Sequence, residues 1–270
     1  MALPIDLVLV RHGQSEGNAA KRLSEKGDNS AYTAEFRERH TSSFRLTELG
    51  RRQAIITGDW LRREFYKDSH GFDRCVTSEY ARAMETAGLL SLPRAEWYCD
   101  FYLGERDWGE FDTCPEDERK LKFGEALRRR EVEPFFWRPT GGESFRELCL
   151  RVDRVLDTLH RECDDMRMII SCHGEVMLAL KVRIERMSQV RFKELVFSEQ
   201  SNDRIYNCQI LHYTRRNPDT GRLAPYAGWV RSVRPTENPI WDTGWQEITR
   251  PRYSNQDLLN IVGRIPPMVK

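Results

Sequence analysis

The chain has 270 residues, enough to bury a substantial core in one elaborated domain or two. Its 43 basic and 42 acidic side chains almost cancel, so the net charge of +1 gives no reason to expect nucleic acid or an anionic membrane as a partner. No stretch is apolar enough for a membrane span, and Asp6 interrupts the apolar run at the amino terminus, which argues against a signal peptide.

The seven cysteines are odd in number and lack the C-x-x-C spacing of zinc sites. Reduced, mostly buried thiols explain this usage better than a disulfide framework does. We therefore expect a cytoplasmic protein.

Four buried strands are predicted from short apolar runs that end in polar residues or glycine, at residues 7–10, 74–78, 168–172 and 205–213. Helical periodicity and capping residues predict helices at 47–66, 81–90, from Ser144 to about residue 160, and after Gly174. In the first helix, the predicted apolar side consists of Leu49, Ile56, Trp60, Leu61 and Phe65.

Strands that alternate with helices favour an α/β fold, a three-layer αβα sandwich with a mainly parallel central sheet. We expect a catalytic domain at 1–214 with insertions at about 19–45 and 106–140, the second of which resembles a lid. Residues 215–270 are rich in Pro, Trp and Arg with little periodicity. They are interpreted as a carboxy-terminal extension that packs on the same domain.

Two of the predicted strands end in a histidine followed by glycine, at His12-Gly13 and His173-Gly174, and Arg82 lies just after a third strand end. Open α/β sheets bind ligands at the carboxyl ends of their strands, so we expect these side chains to share one crevice. Together with Arg11, Asn18 and the helix amides at Gly174, they would form a pocket for a compact dianion such as phosphate.

Seven motifs, in order, then resemble the histidine phosphatase superfamily, branch 1, the phosphoglycerate mutase-like group. They are Arg11-His-Gly-Gln-Ser-x-x-Asn18, Leu46-Thr-Glu-Leu-Gly50 with Gln53-Ala54, Ser78-x-x-x-Arg82-Ala-x-x-Thr86-Ala, Leu103-Gly-Glu105-Arg-x-x-Gly109, Gly141-Gly-Glu-Ser144, His173-Gly174 and Asn207-Cys208. The resemblance covers residues 7 to about 211 and leaves out the carboxy-terminal extension.

The resemblance implies a role for each matched residue. His12 would attack phosphorus and become a phosphohistidine, and Glu105 would be the proton donor. Arg11, Asn18, Arg82, His173 and Gly174 would bind the phosphate group. No metal and no cofactor are implied, since the arginines supply the positive charge.

The resemblance leaves three functions open. The first is a phosphatase that acts on a small phosphomonoester, and the second is a phosphoglycerate mutase-type phosphotransferase. The mutase hypothesis is weakened because Pro115-Glu116 stands where mutases carry Asn-Lys to hold the substrate carboxylate, and the family's paired arginines are not matched in register. The third is a non-catalytic protein that binds a phosphorylated ligand.

The resemblance also implies that Arg22 and Ser24 lie where the family has substrate-contacting residues.

The remaining candidates are given structural interpretations. No motif surrounds His40, His70, His160 or His212, and Arg128-Arg129-Arg130 is expected to be a solvated run, unless a lid position lets one arginine reach a second anionic group of the substrate. A homodimer is expected by analogy with the family alone.

Overall fold

The computed structural model describes residues 2–67 and 71–269. The strands are β1 (Asp6–Arg11), β2 (Arg74–Ser78), β3 (Trp97–Asp100), β4 (Arg167–Cys172), β5 (Ile210–Thr214), β6 (Trp229–Arg234), β7 (Trp241–Asp242) and β8 (Gln246–Glu247). The helices are α1 (Glu16–Ser24), α2 (Ala34–Glu38), α3 (Glu48–Phe65), α4 (Ala81–Leu89), α5 (Glu116–Val132), α6 (Phe145–Glu162), α7 (Gly174–Ile184), α8 (Gln189–Val196) and α9 (Asn255–Val262).

One central sheet has the strand order β3-β2-β4-β1-β5-β6-β7, and β8 also pairs with β6. Strands β1 to β4 run parallel and hold most of the strand residues, while β5 and the strands beyond it are antiparallel additions on one side. This sheet, with helices on both faces, confirms the predicted α/β class.

The alternation of β1 assigns its side chains to the two faces of the sheet. Leu7 and Leu9 face a core with α6, α7 and α8, whereas Val8 and Val10 face a second core with α3 and the end of α4. All four side chains are almost completely buried. Strand β1 is thus buried on both faces of the sheet, which explains its continuous apolar sequence.

Local capping signals set the starts of two long helices. Thr47 accepts a hydrogen bond from the Gly50 amide at the start of α3, and Ser144 and Glu147 form the predicted capping box of α6. Both caps agree with the sequence prediction.

Other elements differ from the prediction. The sequence did not indicate β3, α8 or β6, and β5 begins at Ile210 rather than at residue 205. Strand β6 pairs with β5, so part of the carboxy-terminal extension continues the sheet. The side chains of α9 are exposed.

All seven cysteines are unpaired, and six of them are buried, as expected. Within residues 2–67 and 71–269, no helix is both long and apolar enough to cross a membrane.

Candidate active site

The ends of β1 and β4 bring the two predicted histidines together. Arg11 pairs with Cys172 in the parallel register, and the His12 amide donates to the Cys172 carbonyl at 2.9 Å. The two imidazole rings that follow these strands, His12 and His173, are buried with centroids 5.1 Å apart. Strand β2 adjoins β4 on the other side, and Arg82 follows it in the first turn of α4.

The loop after His12 is held by residues from two of the other matched motifs. A Cβ on Gly50 would lie 2.1 Å from the Gln14 carbonyl oxygen, so α3 approaches this loop as closely as glycine allows. The Gln14 amide donates to Gln53 Oε1 at 2.9 Å, and the Gly13 amide donates to Thr86 Oγ1 at 3.1 Å. These motif residues are therefore structural supports of the loop that follows His12.

The tautomer of His12 follows from its two partners. Nδ1 lies 2.7 Å from the Gly13 carbonyl oxygen, which can only accept, so Nδ1 carries the proton. Nε2 then presents its lone pair and accepts a hydrogen bond from Arg82 Nε at 3.2 Å. Burial lowers the pKa of His12 well below its usual value, and the charges of Arg82 and Arg11 lower it further. The imidazole is neutral, as a nucleophile must be.

His173 is aimed by Ser78, which lies at the end of β2. Its Nε2 is 2.8 Å from Ser78 Oγ, while its buried Nδ1 has no hydrogen-bond partner within residues 2–67 and 71–269. Burial, followed by the charge of Arg82, lowers the pKa of His173. A second neutral imidazole thus stands beside the first, with one ring nitrogen available to a ligand.

The two arginines supply the positive charge. Arg82 is buried, with Nη1 on the Thr41 carbonyl at 2.6 Å, and Arg11 Nη1 donates to the Ile205 carbonyl at 2.6 Å. Arg11 Nε is buried and, within the described ranges, without an acceptor. A Cβ on Gly174 would lie 3.2 Å from that Nε, so glycine at the start of α7 gives Arg11 its room.

Glu105 completes the cluster. One carboxylate oxygen and one nitrogen from each of His12 and His173 all lie within 4.8 Å of one another. Burial raises the pKa of Glu105, as does the charge of Glu175, and the guanidinium groups of Arg82 and Arg11 offset only part of this. A carboxyl group with a raised pKa beside a neutral imidazole is suited to general-acid catalysis.

Within the described part of the chain, the side chains of His12, Glu105 and His173 are close enough together to hold a metal ion. Arg11 and Arg82 at the same place oppose the binding of a cation. The electrostatics favour an anion.

Asn18 is linked to the backbone at His12 through Asn207. Its Oδ1 accepts from the Ser15 amide at 3.3 Å and from Asn207 Nδ2 at 3.0 Å. Asn207 Nδ2 also lies 3.1 Å from the His12 carbonyl oxygen. With Oδ1 occupied, the Nδ2 group of Asn18 is the part that can donate to a ligand.

The two predicted substrate-contacting residues differ in their surroundings. Ser24 is buried, and its hydroxyl group donates to Asn29 Oδ1 at 2.7 Å and accepts from the Glu116 amide at 2.8 Å. The structure therefore uses Ser24 to join α1 to the start of the lid helix α5. Arg22 is exposed, and its charge contributes to the lowered pKa of Arg11.

The other histidines and the arginine run have these positions. His212 pairs with Asp6 at 3.0 Å, and His40 lies with its ring centroid 6.3 Å from that of Tyr80. His160 lines a separate surface cavity, and His70 lies outside the described residues. Arg128 and Arg129 are exposed, whereas Arg130 is partly buried over the rings of Trp108, Trp137 and Phe197.

Two arginines that contact the chain around Glu105 were not predicted from the sequence. Arg151 on α6 donates to the Gly104 carbonyl at 2.9 Å, next to Glu105. The buried Arg106 donates to the Glu143 carbonyl at 2.8 Å and to Glu175 Oε2 at 3.0 Å. Arg106 lies inside the Leu103–Gly109 motif, so the sequence drew attention to this position. Its partners could not be predicted, because they lie 37 and 69 residues away in the chain.

Comparison with known proteins agrees with this geometry. The family model of the histidine phosphatase superfamily (branch 1) matches residues 7–216. The 2,3-bisphosphoglycerate-dependent phosphoglycerate mutase of Methylobacterium radiotolerans is 29% identical over 195 residues, which are 70% of this chain and 83% of that protein. The corresponding mutase of Azorhizobium caulinodans is 30% identical and covers 67% of this chain and 82% of its own length.

Solved structures share the fold at lower identity. An alpha-ribazole phosphatase from Shigella flexneri superposes with a TM-score of 0.60 at 21% identity, covering 82% of this chain and 96% of its own. A mycobacterial glucosyl-3-phosphoglycerate phosphatase has a TM-score of 0.58 at 20% identity, and the match covers 77% of this chain and 90% of that protein. By the family match and these likenesses, the chain belongs to branch 1 of the histidine phosphatase superfamily, as its motifs predicted.

Proposed function

We propose that this protein is a phosphatase that hydrolyses a small phosphomonoester through a phosphohistidine at His12. One observation carries the proposal. The unprotonated Nε2 of His12 lies beside the carboxyl group of Glu105, and two arginines border the same space. This arrangement offers a nucleophile, a proton donor and an anion clamp at a single point.

In the first step, His12 Nε2 attacks phosphorus in line and the bond from phosphorus to the ester oxygen breaks. Glu105 gives its proton to the leaving alcohol, which would otherwise depart as a poor alkoxide. Arg11 and Arg82 stabilise the charge that spreads over the phosphoryl oxygens, and His173 Nδ1 and Asn18 Nδ2 add hydrogen bonds.

In the second step, Glu105 takes a proton from a water molecule as the water oxygen attacks phosphorus. The bond from phosphorus to Nε2 then breaks, which restores neutral His12 and releases inorganic phosphate. Glu105 is partly exposed and lines an open cavity, so water can reach it. The guanidinium groups provide the charge stabilisation, and the proposed reaction is metal-independent.

A phosphoglycerate mutase is the second candidate, favoured by the names of the sequence relatives. The rim of the lid supports hydrolysis instead. The carboxylate of Glu116 lies 3.5 Å from Arg119 and 3.4 Å from Lys120, so these cations are already paired. Neither cation is then free to bind a glycerate carboxylate. The expected homodimer and cytoplasmic location stay predictions.

The test is a panel of phosphorylated metabolites with released phosphate as the readout, beside a mutase assay on phosphoglycerate. We expect hydrolysis that persists in EDTA and an acid-labile phosphoenzyme. His12→Ala should lower turnover by at least about 10³-fold, whereas His160→Ala, on the outer surface of α6, should not. Mutase turnover that exceeds phosphate release would overturn the proposal, as would activity that needs a divalent cation.

A further inference from the structure

Beside Glu105 the structure has an open cavity of about 440 Å³. Glu105, Tyr80 and Phe101 form part of its lining, together with the glycines at 104, 141 and 142. A proton donor must lie within hydrogen-bond reach of the oxygen that it protonates. The alcohol released from the substrate is therefore placed in this cavity, which Glu105 lines.

The charge of the cavity lining is negative when Glu105 carries the proton that it donates. Three carboxylates, those of Asp107, Glu143 and Glu147, then face the guanidinium groups of Arg138 and Arg151.

Both guanidinium groups are already matched by acidic partners. Arg151 donates to the two carboxylate oxygens of Glu143 at 3.1 and 2.9 Å. Arg138 lies 3.3 Å from Glu147 and donates to the Gly142 carbonyl at 2.7 Å. Among the residues that line the cavity, each guanidinium group thus already has a carboxylate partner, and the charge of Asp107 is left unbalanced.

The same lining suits hydroxyl groups. Asp107 Oδ1 accepts from the Gly109 amide at 2.7 Å, and Oδ2 has no hydrogen-bond donor among residues 2–67 and 71–269. The ring of Phe101 is 63% exposed at the cavity edge, an apolar surface on which the C–H face of a sugar ring can pack. Acceptors next to an aromatic ring match a polyol, which offers both hydroxyl donors and an apolar face.

We propose that this cavity selects a neutral, hydroxyl-rich leaving group, so that the substrate is a sugar monophosphate rather than a phosphoglycerate or a sugar bisphosphate. The inference rests on the proposed phosphatase function, because it takes Glu105 as the proton donor. A cationic leaving group fits less well, since its charge beside Glu105 would favour the ionised carboxylate and remove the proton that the reaction needs.

The experiment compares kcat/KM for a hexose 6-phosphate, a hexose 1,6-bisphosphate, 3-phosphoglycerate and phosphocholine, with p-nitrophenyl phosphate as the reference. We expect the hexose monophosphate to exceed each of the other three by at least about tenfold, because like charges in a partly desolvated cavity repel. The inference would be overturned if the bisphosphate, 3-phosphoglycerate or phosphocholine, each of which has a charged leaving group, had a higher kcat/KM than the hexose monophosphate. The phosphatase function would then still stand. Failure to hydrolyse even p-nitrophenyl phosphate would overturn the proposed function itself.

Two variants test the cavity. Phe101→Ala should raise KM for the hexose monophosphate several-fold, whereas Tyr98→Ala, which removes a ring of similar exposure (60%) that does not line the cavity, should not. Asp107→Asn removes one carboxylate charge and should narrow the gap between the hexose monophosphate and 3-phosphoglycerate. Equal effects of Phe101→Ala and Tyr98→Ala, or an unchanged gap in Asp107→Asn, would contradict the assignment.

Discussion

Arg82 Nε donates a hydrogen bond to His12 Nε2 across 3.2 Å. The contact fixes the direction of the lone pair. Burial lowers the pKa of His12, and the charge on the Arg82 guanidinium group lowers that pKa further. In the proposed mechanism, this one side chain both disfavours protonation of the nucleophile and binds the phosphoryl group. Arg82 reaches this position because α4 begins directly after β2, with Nη1 anchored on the Thr41 carbonyl.

Arg82→Gln should slow phosphoenzyme formation by about 10²–10³-fold, the usual cost of losing one charge-stabilising donor. It should also raise the pKa of His12, because a positive charge beside the imidazole is removed. The acid limb of the kcat/KM profile would then move to higher pH. Rapid-quench measurements across pH test both effects, with the exposed Arg52→Gln on α3 as the control. An acid limb that does not move would contradict the electrostatic role of Arg82.

Glu105→Gln removes the proton donor and should reduce turnover by about 10²–10⁴-fold for alkyl phosphates. Aryl phosphates should lose much less, since p-nitrophenolate leaves without a proton. The ratio of alkyl to aryl kcat measures this, and Glu110→Gln, an exposed neighbour in the same loop, should leave the ratio unchanged. Equal losses for both substrate classes would rule out Glu105 as the donor.

Glu175→Gln tests what sets the protonation of Glu105. Burial raises the pKa of Glu105, and the negative charge of Glu175 adds to this, so neutralising Glu175 should lower that pKa. Activity that requires protonated Glu105 would then be lost at lower pH, which shifts the basic limb of the profile to the acid side. The matched control is Glu194→Gln on the exposed face of α8. A shift in the opposite direction would be evidence against the coupling.

Gly50→Ala tests the contact between α3 and the loop that follows His12. The added Cβ would meet the Gln14 carbonyl oxygen at 2.1 Å, so we expect a loss of at least about 1–3 kcal/mol in the free energy of unfolding, with reduced turnover. Gly88→Ala in α4 meets nothing within 4 Å and should be neutral or slightly stabilising. Urea denaturation of both variants makes the comparison. Equal stability of the two would show that the close approach is not required.

Features with local causes could be predicted. The caps at Thr47 and Ser144 are hydrogen bonds within one turn of chain, and the apolar run of β1 indicates burial on both faces. The apolar face of α3 was predicted only in part, because Trp60, Leu61 and Phe65 are buried but Leu49 and Ile56 are more than 40% exposed. Which side of a helix is buried depends on what packs against it, and there Gly50 and Gly58 make the close contacts instead.

The amino-acid sequence by itself determined the family and the strands that carry the two histidines, since short apolar runs and adjacent motif residues encode them, and it predicted His12 as the nucleophile. Only the tertiary structure decided the Nδ1-protonated form of His12, the raised pKa of Glu105 and the pairing of the cavity arginines. These properties depend on burial and on partners far away in the chain, such as Arg82 for His12 and Glu175 for Glu105. Folding brings Arg82 Nε to 3.2 Å from His12 Nε2, where the guanidinium charge disfavours protonation of the imidazole.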